Sequence, residues 1–333
     1  MKIAIVAITS GAFELAATLE NKLPGATLLP KNRVKLTFAE SWQNFDAFIC
    51  IMATGIVVRS IAPLLVDKRT DPCVIVVDEK GRHAISLLSG HLGGGNDLTI
   101  QVAEILHGEP VVTTASDTLG LEALDVWAAE QNLIAHKEDM TRACGLLVNK
   151  GELQLYSDLK VHSLPSGLIQ CETPEQADIL ITNRSCFADR LVFCPQNLVV
   201  GTGCNRNTPA YEFTEAINEL FSDLGLSPAA IKNLASIDKK NDEEGLLTFA
   251  EQQHYPIDFF TKDEINMVTG VEISAAPLKA VGAIGVAEPC AILSACKTDK
   301  QKKPLISRKR KWQNITMAVA ELPFTLSAPE PDR

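Results

Sequence analysis

The chain has 333 residues, 46% of them apolar and 22% charged, and 31 basic against 41 acidic side chains leave a formal charge of −10. At about 100 to 200 residues per domain this length provides two or three compact units, each with its own core, and excludes a fibre or a small disulfide scaffold. The acidic balance has the wrong sign for holding nucleic acid by phosphate neutralisation, and no run approaches the ~20 apolar residues of a bilayer span, so neither nucleic acid nor membrane is an expected partner.

The N-terminal run Met1-Lys2-Ile3-Ala4-Ile5-Val6-Ala7-Ile8 reads as a buried first strand entering a turn at Gly11, without the cleavage region of a signal peptide, and a cytoplasmic location is expected. Nine cysteines without a Cys-x-x-Cys pair, mostly inside apolar runs, point to reduced buried thiols rather than a zinc site. Short β-rich runs at 2–8, 46–51, 74–77 and 110–113 alternate with helical patterns at 12–23, 55–65 and 95–106. Strands apolar on both faces and separated by helices imply a mostly parallel sheet covered by helices, whose ligands bind where strand ends enter helices.

The unusual residues of this region lie in such loops. Ala53-Thr54-Gly55 follows a strand and opens a helix, so an anion could sit on its N-terminus within reach of Arg59; a surface cap is the other reading of that arginine. Ser89-Gly90-His91-Leu92-Gly93-Gly94-Gly95-Asn96 joins a strand ending near Leu88 to a helix starting near Asn96, and matches neither a P-loop nor a Gly-x-Gly-x-x-Gly order. Successive glycines let a backbone approach a ligand, the helix start behind them supplies partial positive charge, and His91 is the titratable group with a reference pKa near neutrality. A glycine hinge with an N-cap at Asn96 or Asp97 is the alternative. Thr113-Thr114-Ala115-Ser116-Asp117 is a further strand-end loop, with a capping turn as its plainer reading.

From 134 to 196 the pattern weakens to short strands near 152–156 and 178–182, consistent with a small α/β middle segment. The chain restarts as a separate C-terminal α/β domain at 197–323, with Gly201-Thr202-Gly203-Cys204-Asn205-Arg206 as a strand into a glycine loop and a helix from Pro209 to about Leu224. The division expected is therefore 1–133, 134–196 and 197–323, with a flexible tail at 324–333. Asp242, Glu243 and Glu244 read as helix-dipole acids, and Glu288, between Gly285 and Pro289, either caps a helix or points into a cleft. Residues 297–311 hold eight basic side chains against Asp299, either a flexible solvated hairpin or a seat for an acidic small molecule.

Several of these strings, in this order, resemble the cobalt-precorrin-5A hydrolase family of anaerobic cobalamin biosynthesis. They are Thr54-Gly55-Ile56-Val57-Val58-Arg59-Ser60-Ile61-Ala62-Pro63, Asp67-Lys68, Asp71-Pro72, Val77-Asp78-Glu79 and Ile85-Ser86-Leu87-Leu88-Ser89-Gly90-His91-Leu92-Gly93-Gly94 with Asn96. In the last third they are Gly201-x-Gly203-Cys204-x-Arg206, Ala235-Ser236-Ile237 with Lys239, Glu244-Gly245-Leu246, Val286-Ala287-Glu288-Pro289-x-Ala291 and Thr316-x-Ala318-Val319-Ala320. The sequence departs from the family pattern at Asn205 and Asn207 around Arg206, and in having Gly95 after Gly94.

The resemblance implies a hydrolase that opens a δ-lactone on a cobalt-bound contracted tetrapyrrole, then breaks a carbon–carbon bond to release acetaldehyde. Matched to that chemistry, His91 is the expected base, with N–H groups from Gly93 to Asn96 as oxyanion donors, Glu288 as a second proton carrier and Asp117 next in line. Substrate contacts are expected from Gly55, Arg59, Ser89, Gly90, Gly93, Gly94, Gly95, Asn96, Ser116, Gly201, Gly203, Arg206 and Lys239, the cations facing substrate carboxylates. Cobalt arrives chelated in the substrate, and no cofactor or protein-bound metal is expected. A non-catalytic tetrapyrrole carrier is the rival reading, and transient contact with the pathway's methyltransferases and a homodimeric state stay open.

Overall fold

The computed structural model describes residues 1–67, 70–90, 93–115, 119–121, 123–185, 187, 190–296 and 305–328. The chain divides into two compact units, Met1–Val126 and Trp127–Arg333, so the middle segment and the C-terminal domain fall in one unit. The architecture is mixed α/β, as the alternating pattern implies.

In the first unit, β1 (Ile3–Ala7), α1 (Ser10–Lys22), β2 (Ala26–Leu28), α2 (Val34–Ser41), β3 (Ala47–Ile51), α3 (Thr54–Ile61), β4 (Cys73–Val77), β5 (His83–Leu88), α4 (Gly95–Leu106) and β6 (Glu109–Val111) form a six-stranded sheet of order β2-β1-β3-β4-β5-β6. Every residue of β1, β3 and β4 is buried, which is why these strands read as uninterrupted apolar runs. Helices α1 and α4 cover one face through Ala12, Ala16, Leu19, Leu98 and Val102. On the other face α2 and α3 seat Phe38, Trp42, Val57 and Ile61 against Val6, Phe48 and Val74. All neighbours pair in parallel except β4 and β5, where Val74 faces Leu88 and Val77 faces Ala84.

Helix α5 (Leu124–Glu130) leads into the second unit. There β7 (Leu133–Ile134), α6 (Lys137–Lys150), β8 (Leu153–Ser157), β9 (Lys160–Val161), β10 (Leu168–Gln170), β11 (Ile179–Ile181) and β12 (Leu191–Pro195) build a sheet of order β10-β8-β11-β12-β7, with β9 apart from it. After two residues β13 (Leu198–Cys204) starts the C-terminal sheet, followed by α7 (Ala210–Leu224), β14 (Ile231–Ile237), α8 (Glu244–Gln253), β15 (Ile257–Phe260), α9 (Lys262–Asn266), α10 (Ala275–Val281), α11 (Ala287–Ala295), β16 (Leu305–Lys311) and β17 (Ile315–Glu321). Its order is β15-β14-β13-β17-β16. Phe213, Leu220, Phe221 and Phe249 of α7 and α8 fill one face, while Cys290, Ala291 and Ala295 of α11 pack on the other.

Two expectations change here. The tail does not fray from residue 324: β18 (Thr325–Leu326) pairs with β9, and the Trp127 indole N–H donates to the Ser327 carbonyl at 2.8 Å. Of the basic segment, 305–311 is an edge strand rather than a flexible hairpin, and 297–304 lies outside the described residues. No helix among the described residues is long and apolar enough to cross a membrane.

Candidate functional site

In the first unit the chain reverses its direction of winding between β1 and β3, because α1 lies on one face and α2 and α3 on the other. A crevice for ligands opens at the carboxyl ends of strands at such a point. Thr9 stands there as the N-cap of α1, accepting from the Ala12 N–H at 3.2 Å, and its hydroxyl donates to the Glu79 carboxylate at 2.7 Å. Across from it α3 opens at Thr54, and the Arg59 side chain folds back so that its guanidinium lies 3.2 Å from where a side chain on Gly55 would begin. Gly55 is thus the space that lets Arg59 lie over its own helix start.

The glycine loop is on the opposite rim. Because β5 runs against β4, Leu88 ends beside Val74, and the five residues of β4, at ~3.3 Å each, put about 16 Å between the two rims. This single antiparallel strand therefore puts Arg59 and the glycine loop at opposite rims of the sheet. Ser89 takes a left-handed φ of 53°, and Gly94, at φ 70°, is the N-cap of α4. Gly93 must lack a side chain because its first carbon would lie 2.5 Å from the Ser89 carbonyl oxygen. Asn96 is 6% exposed, accepts from the Ser86 hydroxyl at 2.7 Å and donates to Thr114 Oγ1 at 3.1 Å. The loop closes on itself: the Gly95 N–H donates to the Ser89 carbonyl at 3.2 Å and the Asn96 N–H to the Gly90 carbonyl at 2.9 Å. Those two N–H groups, expected from the sequence as oxyanion donors, are engaged within the loop. His91, Ser116 and Asp117 lie outside the described residues.

In the second unit Gly201 and Gly203 of β13 face α11. A side chain on Gly201 would run into the Ala287 carbonyl oxygen, and one on Gly203 would lie 2.9 Å from Thr316 Oγ1, so close packing accounts for both glycines. Arg206 bridges two loops: Nη1 pairs with Asp242 and lies 3.6 Å from Glu243, while Nη2 donates to the Lys239 carbonyl at 2.9 Å. The guanidinium holds the Asp242 carboxyl below the usual carboxylate range. Its charge is therefore balanced within the protein, and Lys239 offers its backbone there while its side chain is exposed.

Glu243, expected only as a dipole acid, is 2% exposed and accepts from the Asn207 N–H and, at 2.9 Å, from Lys240 Nζ. Nothing in sequence places Asn207 against it, 36 positions away. Beside them burial pushes the Cys204 thiol up to about 11, with Lys240 pulling the other way. Glu288 neither caps a helix nor lines an open cleft. It is 6% exposed and its Oε1 accepts from the Lys309 N–H of β16 at 2.9 Å. Elsewhere in this unit a cavity of about 290 Å³ is walled by His136, Arg184, Ser185, Arg190 and Cys194 among others, and none of the described residues that line it is a site residue expected from the sequence.

Residues 36–117 match the family described as Cobalamin synthesis G N-terminal, and 198–320 match Cobalamin synthesis G C-terminus. The chain is 32% identical over 314 residues to a Cobalt-precorrin-5A hydrolase of Priestia megaterium, covering 87% of this chain and 82% of that one. It is also 32% identical over 296 residues to the protein of that name from Salmonella typhimurium strain LT2, covering 79% and 83%. This chain belongs to the cobalt-precorrin-5A hydrolase family. A Sinorhizobium Protein CobE is 31% identical over 135 residues, 39% of this chain and 83% of its own length. The N-terminal family segment takes in α3 and the glycine loop, and the C-terminal one takes in Arg206, Glu243, Glu288 and β16.

Proposed function

We propose that the protein is a hydrolase of cobalamin biosynthesis that opens the δ-lactone of cobalt-precorrin-5A and releases acetaldehyde, leaving cobalt-precorrin-5B. The observation that carries this reading is the match to two hydrolases of that name over more than four fifths of their length.

In the first step a water adds to the lactone acyl carbon, the acyl–oxygen bond breaks, and a carboxylate and a free hydroxyl result. In the second, that hydroxyl loses its proton, its carbon–oxygen bond becomes the carbonyl of acetaldehyde, and the carbon–carbon bond to the macrocycle breaks with its electron pair passing into the cobalt-bound ring. Cobalt enters as part of the substrate. His91, as the base, takes the proton from water; Gly93 and Gly94 turn N–H groups to the tetrahedral oxyanion. The bonds from Ser86 through Asn96 to Thr114 support the reading by fixing the start of α4, just after Gly93 and Gly94, before substrate arrives. The substrate's carboxylates are received by cations, with the basic run of β16 as the main seat. The closed Arg206–Asp242–Glu243 group ties two loops together rather than receiving substrate.

The deciding experiment incubates purified protein with cobalt-precorrin-5A and measures acetaldehyde. Enzyme-dependent release with repeated turnover is expected. Binding of the tetrapyrrole without release would overturn the reading in favour of a carrier.

A further inference from the structure

Glu288 occupies the first turn of α11, but its carboxylate is directed across to another element. Oε1 accepts from the Lys309 N–H, and Oε2 is buried without a hydrogen-bond partner among the described residues. The reason Lys309 has an N–H to give lies in the strand register. Ser307 faces Val319 and Arg310 faces Met317, so three steps along β16 span two along β17 and one extra residue bulges out between them. A bulge frees a backbone N–H from the ladder, and Glu288 takes it up.

The bulge also breaks the alternation of side chains. Arg308 and Lys309 are both exposed, as is Lys311, whereas Ser307 before them is buried. Lys309 Nζ then donates to Ser274 Oγ at 2.6 Å, and Arg310 pairs with Asp223 at 2.6 Å. Lys309 and Arg310 are thus held by partners of their own within a run of four cations, Arg308 to Lys311, whose backbone is anchored at Lys309 on the buried Glu288 side chain.

We propose that Glu288 is a positioning residue for substrate: by holding the β16 bulge it fixes Arg308, Lys309 and Lys311 as an array that receives tetrapyrrole carboxylates. The proposal rests on the reading that β16 seats those carboxylates. Glu288 acts through the Lys309 backbone and touches no reacting atom.

The test uses the full chain with uroporphyrin I, a polycarboxylic tetrapyrrole, as fluorescent probe at two salt concentrations, together with amide hydrogen exchange at Lys309. Glu288→Ala should speed exchange at Lys309, weaken probe binding by roughly five- to tenfold and flatten its salt dependence, while Glu288→Gln, which keeps the acceptor oxygen, stays within about twofold of wild type. If Glu288→Ala does not fold, Lys309→Pro against Lys309→Gln makes the same comparison, since both lose the charge and only proline loses the N–H; the proline variant should bind at least several-fold more weakly. Faster exchange at Lys309 with unchanged affinity, equal losses in Glu288→Gln and Glu288→Ala, or equal affinity in the two Lys309 variants would each overturn the positioning role. The combined replacement of Arg308, Lys309, Arg310 and Lys311 by Gln separates the two readings: unchanged affinity there removes β16 as the seat, whereas lost affinity there with an intact Glu288→Ala removes only the positioning role.

Discussion

Asn197 Nδ2 donates to Glu321 Oε1 at 3.1 Å, joining the connection between the middle and C-terminal sheets to β17 of the C-terminal sheet. The same oxygen accepts from Asn183 Nδ2 at 3.0 Å, and both asparagines are buried. One carboxylate oxygen thus satisfies two buried amides that come from either side of β12. Glu321→Ala should leave both amides without that acceptor and cost about 2 to 4 kcal/mol, while Glu321→Gln should recover most of the loss. Urea unfolding of the three proteins measures it; equal midpoints would mean that water replaces the carboxylate at no cost.

Acid should loosen the middle sheet in a defined window. Partial burial pushes the Asp178 carboxyl up, but hydrogen bonds from Lys150 Nζ at 2.6 Å and the Gln154 N–H at 2.9 Å outweigh it, and the net shift is downward. A carboxyl with a folded pKa below its unfolded value of about 3.9 stabilises the fold above that value, and the contribution is lost as pH falls through the folded pKa. Asp178→Asn should therefore be less stable than wild type by about 1 kcal/mol at pH 7, with the gap closing below about pH 4. A gap that is constant between pH 7 and pH 3 would show that the charge is not what stabilises.

Two glycines should respond to alanine with opposite signs. Gly201→Ala forces a methyl group into the Ala287 carbonyl of α11 and should destabilise by about 1 to 3 kcal/mol. Gly145, exposed within α6 with open space around it, should gain about 1 kcal/mol from the same change. Thermal unfolding of both variants decides whether Gly201 is set by packing; a stable Gly201→Ala with lost tetrapyrrole binding would instead return it to the substrate.

His91→Ala should lower acetaldehyde release by roughly 10²- to 10⁴-fold and leave tetrapyrrole affinity within a few-fold, as expected of a general base. Near wild-type release from His91→Ala or His91→Gln would move the base elsewhere, with Asp117 the next residue to replace.

The buried strands were legible because β1, β3 and β4 are apolar on every residue, and α3 and α4 because Gly55 and the 93–95 run mark their starts. The direction of β5 could also have been read. Only residues 78–82 separate Val77 from His83, too few for a parallel crossover, so a hairpin was required. The reading of a mostly parallel sheet did not say which pair is antiparallel, and that pair, β4 with β5, is what sets Arg59 and the glycine loop on opposite rims. Glu243 and Glu288 were not legible, since their partners Asn207 and Lys309 come from elements that only tertiary packing brings near. The residues read as chemical in the C-terminal domain were those with distinctive local neighbours, and Gly201 owes its identity to a helix that follows 86 residues later.

Strand β16 lies at the margin of its sheet, where unpaired backbone groups could template another chain. Its register slips twice, between Leu305 and Ser307 and between Ser307 and Arg310, and three of its four exposed positions, Arg308, Lys309 and Lys311, are cationic, the fourth being Ile306. Both features oppose strand addition, so the charges that would receive substrate also guard the protein against edge-to-edge polymerisation. Replacing them with valine or threonine would give an uncharged margin that opposes pairing with a copy of itself only through its bulges. Glutamine or glutamate at the same positions preserves the guard better, because polar side chains keep the strand unattractive to a copy of itself.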